Sequence, residues 1–239
     1  MISVPGAMNF CPFCRVSVRV RSPYEKLKSF TIMPDSILLD LLAANAIHVS
    51  TDKPFTWASG WLSPIYCDNR RALSSHEARQ KICDSFCQTI ATYYPSATSI
   101  AAVATGAIAM GAIVAHTLKM PFAYVRPKPK DHGMGNQIEG FIGPAERVVV
   151  LEDLISTGGS SLGAVAALRS AGVDVLGMVA IFTYAFPQAA RRFAEAEVEL
   201  HTLESYPHLL QLLREQGRLT DEQLGVLSAW RESPETWGR

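Results

Sequence analysis

The chain has no surplus of either charge, with 22 Lys and Arg residues against 22 Asp and Glu among 239. No global field therefore draws it to nucleic acid or to an anionic membrane surface. No apolar run is long enough to span a bilayer. Cysteine is scarce and odd in number (Cys11, Cys14, Cys67, Cys83, Cys87), which fits reduced thiols in the cytoplasm rather than a disulfide framework. Cys11-Pro12-Phe13-Cys14 is a single CxxC without the second pair that a zinc ribbon needs. Internal repeats and low-complexity tracts are absent. Two phosphate-binding signatures are missing as well. No glycine loop ends in Gly-Lys-Ser/Thr, and no glycine fingerprint precedes an acid in the order dinucleotide binding requires.

What is present is the stretch from Val148 to Ser161. Val148, Val149, Val150 and Leu151 form an apolar, mostly β-branched run, the pattern of a strand buried on both faces. Glu152 and Asp153 then stand at its carboxyl end, where open α/β sheets hold their ligands. Leu154 and Ile155 lead into Ser156, Thr157, Gly158, Gly159 and Ser160, a small-residue loop that opens a helix. Backbone N–H groups of such a loop, backed by a helix N-terminus, suit a phosphate. Two carboxylates repel a phosphate but accept from hydroxyls, such as the 2- and 3-hydroxyls of a ribose. The ligand implied is a ribose 5-phosphate, and the arrangement resembles the phosphoribosyl-diphosphate motif of the type I phosphoribosyltransferases. The alternative is an ordinary strand-to-helix turn with acids as helix N-terminal charges.

Residues 1–32 carry Arg15, Arg19, Arg21, Lys26 and Lys28 against Glu25. They are expected to be a disordered extension or a mis-assigned start, since clear organisation begins at Met33. Residues 34–46 predict a helix. Residues 54–70 predict a hairpin, part of a hood spanning about 47–70. Ser74-Ser75-His76-Glu77 has capping-box spacing and opens a helix running to about Tyr94. Strands at 100–104, 122–125, 147–151, 173–182 and 198–202 then alternate with helices at 107–118, 160–171 and 187–195. The fold class expected is α/β: a parallel twisted sheet flanked by helices, with the small N-terminal hood beside it. Residues 33–204 would form the phosphoribosyltransferase domain. Residues 205–239 would add two amphipathic helices around Gly217, with Trp230 and Trp237 as packing groups.

Between Val125 and Arg147 four potential cations, Arg126, Lys128, Lys130 and His132, fall within seven residues. Gly133, Gly135 and Gly140 give the segment freedom to move. Diphosphate leaving an anomeric carbon develops negative charge that needs donors in a dry site, and a closing basic loop supplies both. This loop, together with Ser59-Gly60 and Ser63-Pro64-Ile65-Tyr66-Cys67-Asp68-Asn69-Arg70, narrows the resemblance to the orotate phosphoribosyltransferases over roughly residues 33–204.

The resemblance implies a magnesium-dependent transfer of phosphoribosyl from phosphoribosyl diphosphate to orotate. The Mg2+ would travel on the diphosphate rather than in a protein cage. It implies that Glu152 and Asp153 grip the ribose hydroxyls, that Ser156 to Ser160 hold the 5-phosphate, and that Ser156 contacts orotate. Arg126, Lys130 and His132 match diphosphate-binding positions, and Lys130, His132 and Asp153 would be the catalytic set. It further implies a homodimer in which loop 126–140 completes the neighbour's site. The chain departs from many relatives at Pro127, Ala58, Leu62 and Gly106, where they carry lysine, and at Tyr184, near an orotate-binding arginine of one branch. Arg70, Arg71 and the hairpin backbone are then the candidates for the orotate carboxylate. The competing readings are a phosphoribosyltransferase for a purine or other base, and a non-catalytic sensor of phosphoribosyl diphosphate. Against the sensor, residues 1–32 are too short and too poor in helical pattern for a DNA-binding winged helix.

Overall fold

Ser36 fixes the first helix of the described chain. Its side chain accepts the Leu38 N–H at 3.1 Å and so caps helix α1 (Ile37–Ala43). Its hydroxyl also donates to Glu204 Oε1 at 2.8 Å, a tie across the fold that starts the helix later than residue 34. The computed structural model describes residues 36–128 and 137–238. The expected extension of residues 1–32, with its CxxC, lies outside the described residues, and so do Lys130 and His132.

Strand β1 (Ile47–Val49) is followed by the hairpin β2 (Phe55–Thr56) and β3 (Leu62–Ser63), and then by β4 (Ile65–Cys67), which pairs back antiparallel on β1. These pieces form a hood beside the main sheet. A 3₁₀ turn over Asn69–Ser74 leads into α2 (His76–Tyr93). The cap of α2 is Ser75, which accepts from the Ala78 N–H at 3.2 Å. The expected box beginning at Ser74 does not form, because the Ser74 hydroxyl closes the preceding turn on the Arg71 carbonyl at 2.7 Å.

Strands and helices then alternate as β5 (Ser99–Val103), α3 (Ile108–Leu118), β6 (Phe122–Val125), β7 (Ile138–Glu139), β8 (Arg147–Ile155), α4 (Gly159–Ser170), β9 (Asp174–Thr183), α5 (Pro187–Glu195), β10 (Leu200–Ser205), α6 (Tyr206–Glu215) and α7 (Asp221–Glu232). The sheet order is β10-β9-β8-β5-β6-β7, parallel throughout except for the short edge strand β7. Alternate strand residues feed two cores. Val149, Leu151, Val179 and Ile181 pack toward α1, α2, α3, α6 and α7, whereas Val148, Val150, Met178 and Ala180 pack toward α4 and α5. Val148 to Leu151 are at most 1% exposed, and each contributes roughly 1.5–3 kcal/mol of burial free energy.

Two strands differ from their sequence limits by more than one residue, for tertiary reasons. β8 continues past Leu151 because Glu152, Leu154 and Ile155 still pair with Ala180, Phe182 and Thr183 of β9. β10 starts after Val198, whose N–H is taken by the Phe193 carbonyl at the end of α5, at 3.0 Å. Cys67, Cys83 and Cys87 are buried free thiols. No helix among the described residues is long and apolar enough to cross a membrane. From the adjacent central strands β5 and β8 the chain winds outward in opposite directions. Their carboxyl ends therefore flank the crevice in which doubly wound sheets bind ligands.

Candidate active site

At that crevice β8 delivers the two acids in unequal roles. Glu152 is 4% exposed, and its carboxylate accepts from the Asp153 N–H at 2.9 Å and from the Ser161 hydroxyl at 2.8 Å. Burial, reinforced by the hydrogen bond to and the charge of the Asp153 carboxylate, pushes the Glu152 pKa well above the usual carboxylate range. Asp153 stays partly exposed, and its carbonyl is held by Asn69 Nδ2 at 2.7 Å. Its carboxylate lies against the loop after β5, where a methyl on Gly106 would overlap it. Only glycine lets the two loops approach this closely. Asp153 is thus the acid offered to a ligand, while Glu152 braces it against α4.

The turn into α4 depends on Gly158, whose φ of +79° lies in the left-handed region. A Cβ there would also stand 2.9 Å from the Phe193 ring. Past this turn the first N–H groups of α4 have no intrahelical acceptors, and the positive end of the helix dipole lies with them. Ser156, Thr157, Gly158, Gly159 and Ser160 therefore form an anion nest one step from Asp153.

Beside the nest is a cavity of about 700 Å³. The hood supplies Thr56, Trp57, Trp61, Tyr66 and Cys67; the motif supplies Leu154, Ser156 and Thr157; Tyr184, Gln188 and Arg192 complete the wall. Trp57 stacks with Trp61 at 6.4 Å and 20°, and meets Tyr184 at 4.9 Å. Burial raises the Cys67 thiol to about 12, opposed by a hydrogen bond from Tyr184, so it is neutral and no nucleophile. Its aromatic walls suit the face of a planar ring, and its volume lies in the range of small-molecule sites.

At the base of the basic loop, the β6–β7 ribbon is extended by Arg126 N–H donating to the Gln137 carbonyl at 2.9 Å, and Gln137 Nε2 donates back to the Arg126 carbonyl at 2.8 Å. The Arg126 guanidinium stands 3.7 Å from Glu139. Arg126 and Lys128 therefore leave the sheet at the carboxyl end of β6, two strands from β8, roughly 10 Å away by ordinary strand spacing.

The phosphoribosyl transferase domain, as a sequence family, matches residues 71–201. The orotate phosphoribosyltransferase of Lactococcus lactis subsp. cremoris is 50% identical over 202 residues, 84% of this chain and 97% of that protein. The chain belongs to the orotate phosphoribosyltransferases. The fold agrees with solved members of the family. The Aeropyrum pernix enzyme is matched at a TM-score of 0.66 and 26% identity, over 77% of this chain and 99% of that one. The Mycobacterium tuberculosis enzyme in complex with 5-phospho-alpha-D-ribosyl 1-diphosphate is matched at 0.59 and 25% identity, over 74% and 99%.

For an orotate phosphoribosyltransferase, the structure brings Asp153, the nest and the ring cavity together, and sets Arg126 and Lys128 at the margin. It turns Arg70 onto Asp68 at 2.6 Å and Arg71 onto the Ala44 carbonyl at 3.2 Å, and neither lines the cavity. Sequence reasoning missed Asn69, Trp57, Trp61, Gln188 and Arg192. Of these, Gln188 and Arg192 had a signal. They sit one turn apart on α5 beside the core residues Ala189 and Phe193, which marks a second, polar face. Among the described residues no three His, Cys, Asp or Glu side chains converge as a metal cage.

Proposed function

We propose that this chain transfers the 5-phosphoribosyl group from phosphoribosyl diphosphate to orotate, giving orotidine 5′-monophosphate and diphosphate in de novo pyrimidine (UMP) biosynthesis. The observation that carries the reading is the adjacency of Asp153, the Ser156–Ser160 nest and an aromatic-walled cavity. Asp153 accepts from the ribose hydroxyls, with Glu152 bracing it through its backbone N–H and through Ser161. The nest fixes the 5-phosphate, and the anomeric carbon then lies between nest and cavity. A ring nitrogen of orotate donates its electron pair to that carbon as the carbon–oxygen bond to diphosphate breaks, the electrons leave on the diphosphate, and the nitrogen gives up its proton to the departing diphosphate. Mg2+ bound to the diphosphate supplies charge neutralisation. Arg126, Lys128, Lys130 and His132 meet the remaining charge. Holding both reactants in register accounts for much of the rate, and no side-chain nucleophile is required.

Lys130 and His132 serve the neighbouring subunit's site in a cytoplasmic homodimer. In the direct test, purified protein with Mg2+ consumes orotate only when phosphoribosyl diphosphate is present; turnover of adenine or xanthine without orotate turnover refutes the reading. For the shared site, Lys130→Ala and Asp153→Asn are each nearly inactive, and mixing them with subunit exchange restores activity. If mixing restores nothing, the loop serves its own subunit.

A further inference from the structure

Among the described residues that line the ring cavity, Arg192 is the one with a charged side chain, and the rest of the wall, Thr56, Trp57, Tyr66, Tyr184 and Gln188 included, is apolar, aromatic or neutral. A planar base bearing a carboxylate would bring a full negative charge against indole and phenol faces, a costly burial unless a cation meets it. Neither Arg70 nor Arg71 can do so, since Arg70 is paired with Asp68 and Arg71 is turned to the Ala44 carbonyl. Arg192 is already positioned. Ala189 and Phe193 bury one face of α5, which aims the face of Gln188 and Arg192 at the cavity. Arg192 Nη1 donates to the Thr157 carbonyl at 3.1 Å, and this bond holds the guanidinium in place. Four of the five guanidinium N–H donors are then left for a ligand.

We infer that Arg192 is the specificity-determining residue of the cavity, binding the carboxylate of the base. The inference rests on the orotate reading given above and deepens it. The competing task, support of the 5-phosphate, is less suited to Arg192. The nest has its own N–H donors and helix dipole, whereas the cavity has no other cation among the described residues. A fork of N–H donors also selects: it rewards a carboxylated pyrimidine and gives nothing to a ring that carries only hydrogen at that position.

Steady-state kinetics on Arg192→Gln and Arg192→Lys test this, with orotate and uracil as alternative acceptors. For Arg192→Gln the orotate KM rises about tenfold to a hundredfold, as expected for loss of a charge-assisted pair. The KM for phosphoribosyl diphosphate stays within about twofold, which also reports an intact fold and nest. The preference for orotate over uracil, read as the ratio of the two kcat/KM values, falls by a comparable factor. Arg192→Lys, which keeps the charge and loses the fork, falls between. An unchanged orotate KM overturns the inference, and so does a rise in the phosphoribosyl diphosphate KM instead, which would assign Arg192 to the phosphate. If the wild type itself fails to use orotate, the underlying reading has failed rather than the role of Arg192.

Discussion

Trp230 is the perturbation that reaches the base cavity from farthest away in the chain. It lies on α7, beyond the segment matched by the domain family, and is fully buried. Its Nε1 donates to the Leu62 carbonyl of the hood at 3.1 Å. Its ring packs edge-on against Trp57 at 5.6 Å, Tyr184 at 5.6 Å and Phe186 at 5.4 Å. Trp57 and Tyr184 are themselves cavity walls, so α7 acts as the pillar behind the ring site. Trp230→Phe keeps an aromatic ring but leaves the Leu62 carbonyl without this donor, a loss of about 1–3 kcal/mol. Trp230→Ala opens a void as well, at about 3–5 kcal/mol. Chemical unfolding should order the three proteins accordingly. The functional signature is selective: Trp230→Phe should raise the orotate KM several-fold and leave the KM for phosphoribosyl diphosphate unchanged, because the nest lies on β8 and α4 and does not touch α7. If both KM values rise together, or neither moves while stability falls, Trp230 is only a core residue and the pillar argument is wrong.

Other expectations follow from the same geometry. Glu152 has a folded pKa raised above its ordinary value by burial and by Asp153, so the stability it confers is complete below the ordinary pKa and is lost as pH rises through the folded one. Glu152→Gln keeps an acceptor for the Asp153 N–H, and its amide can donate to Ser161. The difference in melting temperature between variant and wild type should therefore grow in the variant's favour from about pH 5 to pH 8, and a constant difference would refute the raised pKa. Gly106→Ala places a methyl on the Asp153 carboxylate. It should lower kcat/KM for phosphoribosyl diphosphate by at least about tenfold through misplacement of that acid, and an unaltered value would mean that Asp153 does not grip the sugar.

Much of this architecture could be read from local pattern, and the parts that could not share one cause. The β8 core showed itself because a strand buried on both faces has to be apolar without alternation, and Val148 to Leu151 are. The nest was visible because a turn into a helix at φ +79° leaves glycine as the residue of choice, and Gly158 occupies it. What escaped was set by distant partners. The start of α1 depends on Glu204, 168 residues on from Ser36. The length of β8 depends on its pairing with β9, and the different fates of Glu152 and Asp153 depend on Ser161 and Asn69. Two adjacent carboxylates look equivalent in a sequence. Their division into a buried brace and a presented ligand appears only once α4 packs on one face and the hood on the other.

That division bears on how the site tolerates its own charge. Two ionised carboxylates side by side would repel each other and would oppose an incoming diphosphate. Burial and the neighbouring Asp153 disfavour the charged form of Glu152. Among the described residues the cations are arranged in the same sense: Arg192 at the ring cavity, Arg126 and Lys128 at the sheet margin, and no other cation in the cavity lining. An anionic base and an anionic sugar diphosphate can thus enter one crevice from opposite sides, each met by its own positive group, and converge at the carboxyl end of β8. A neutral base would gain nothing from the Arg192 side. On this proposal, acceptor choice in this chain rests on α5, a helix outside the motif.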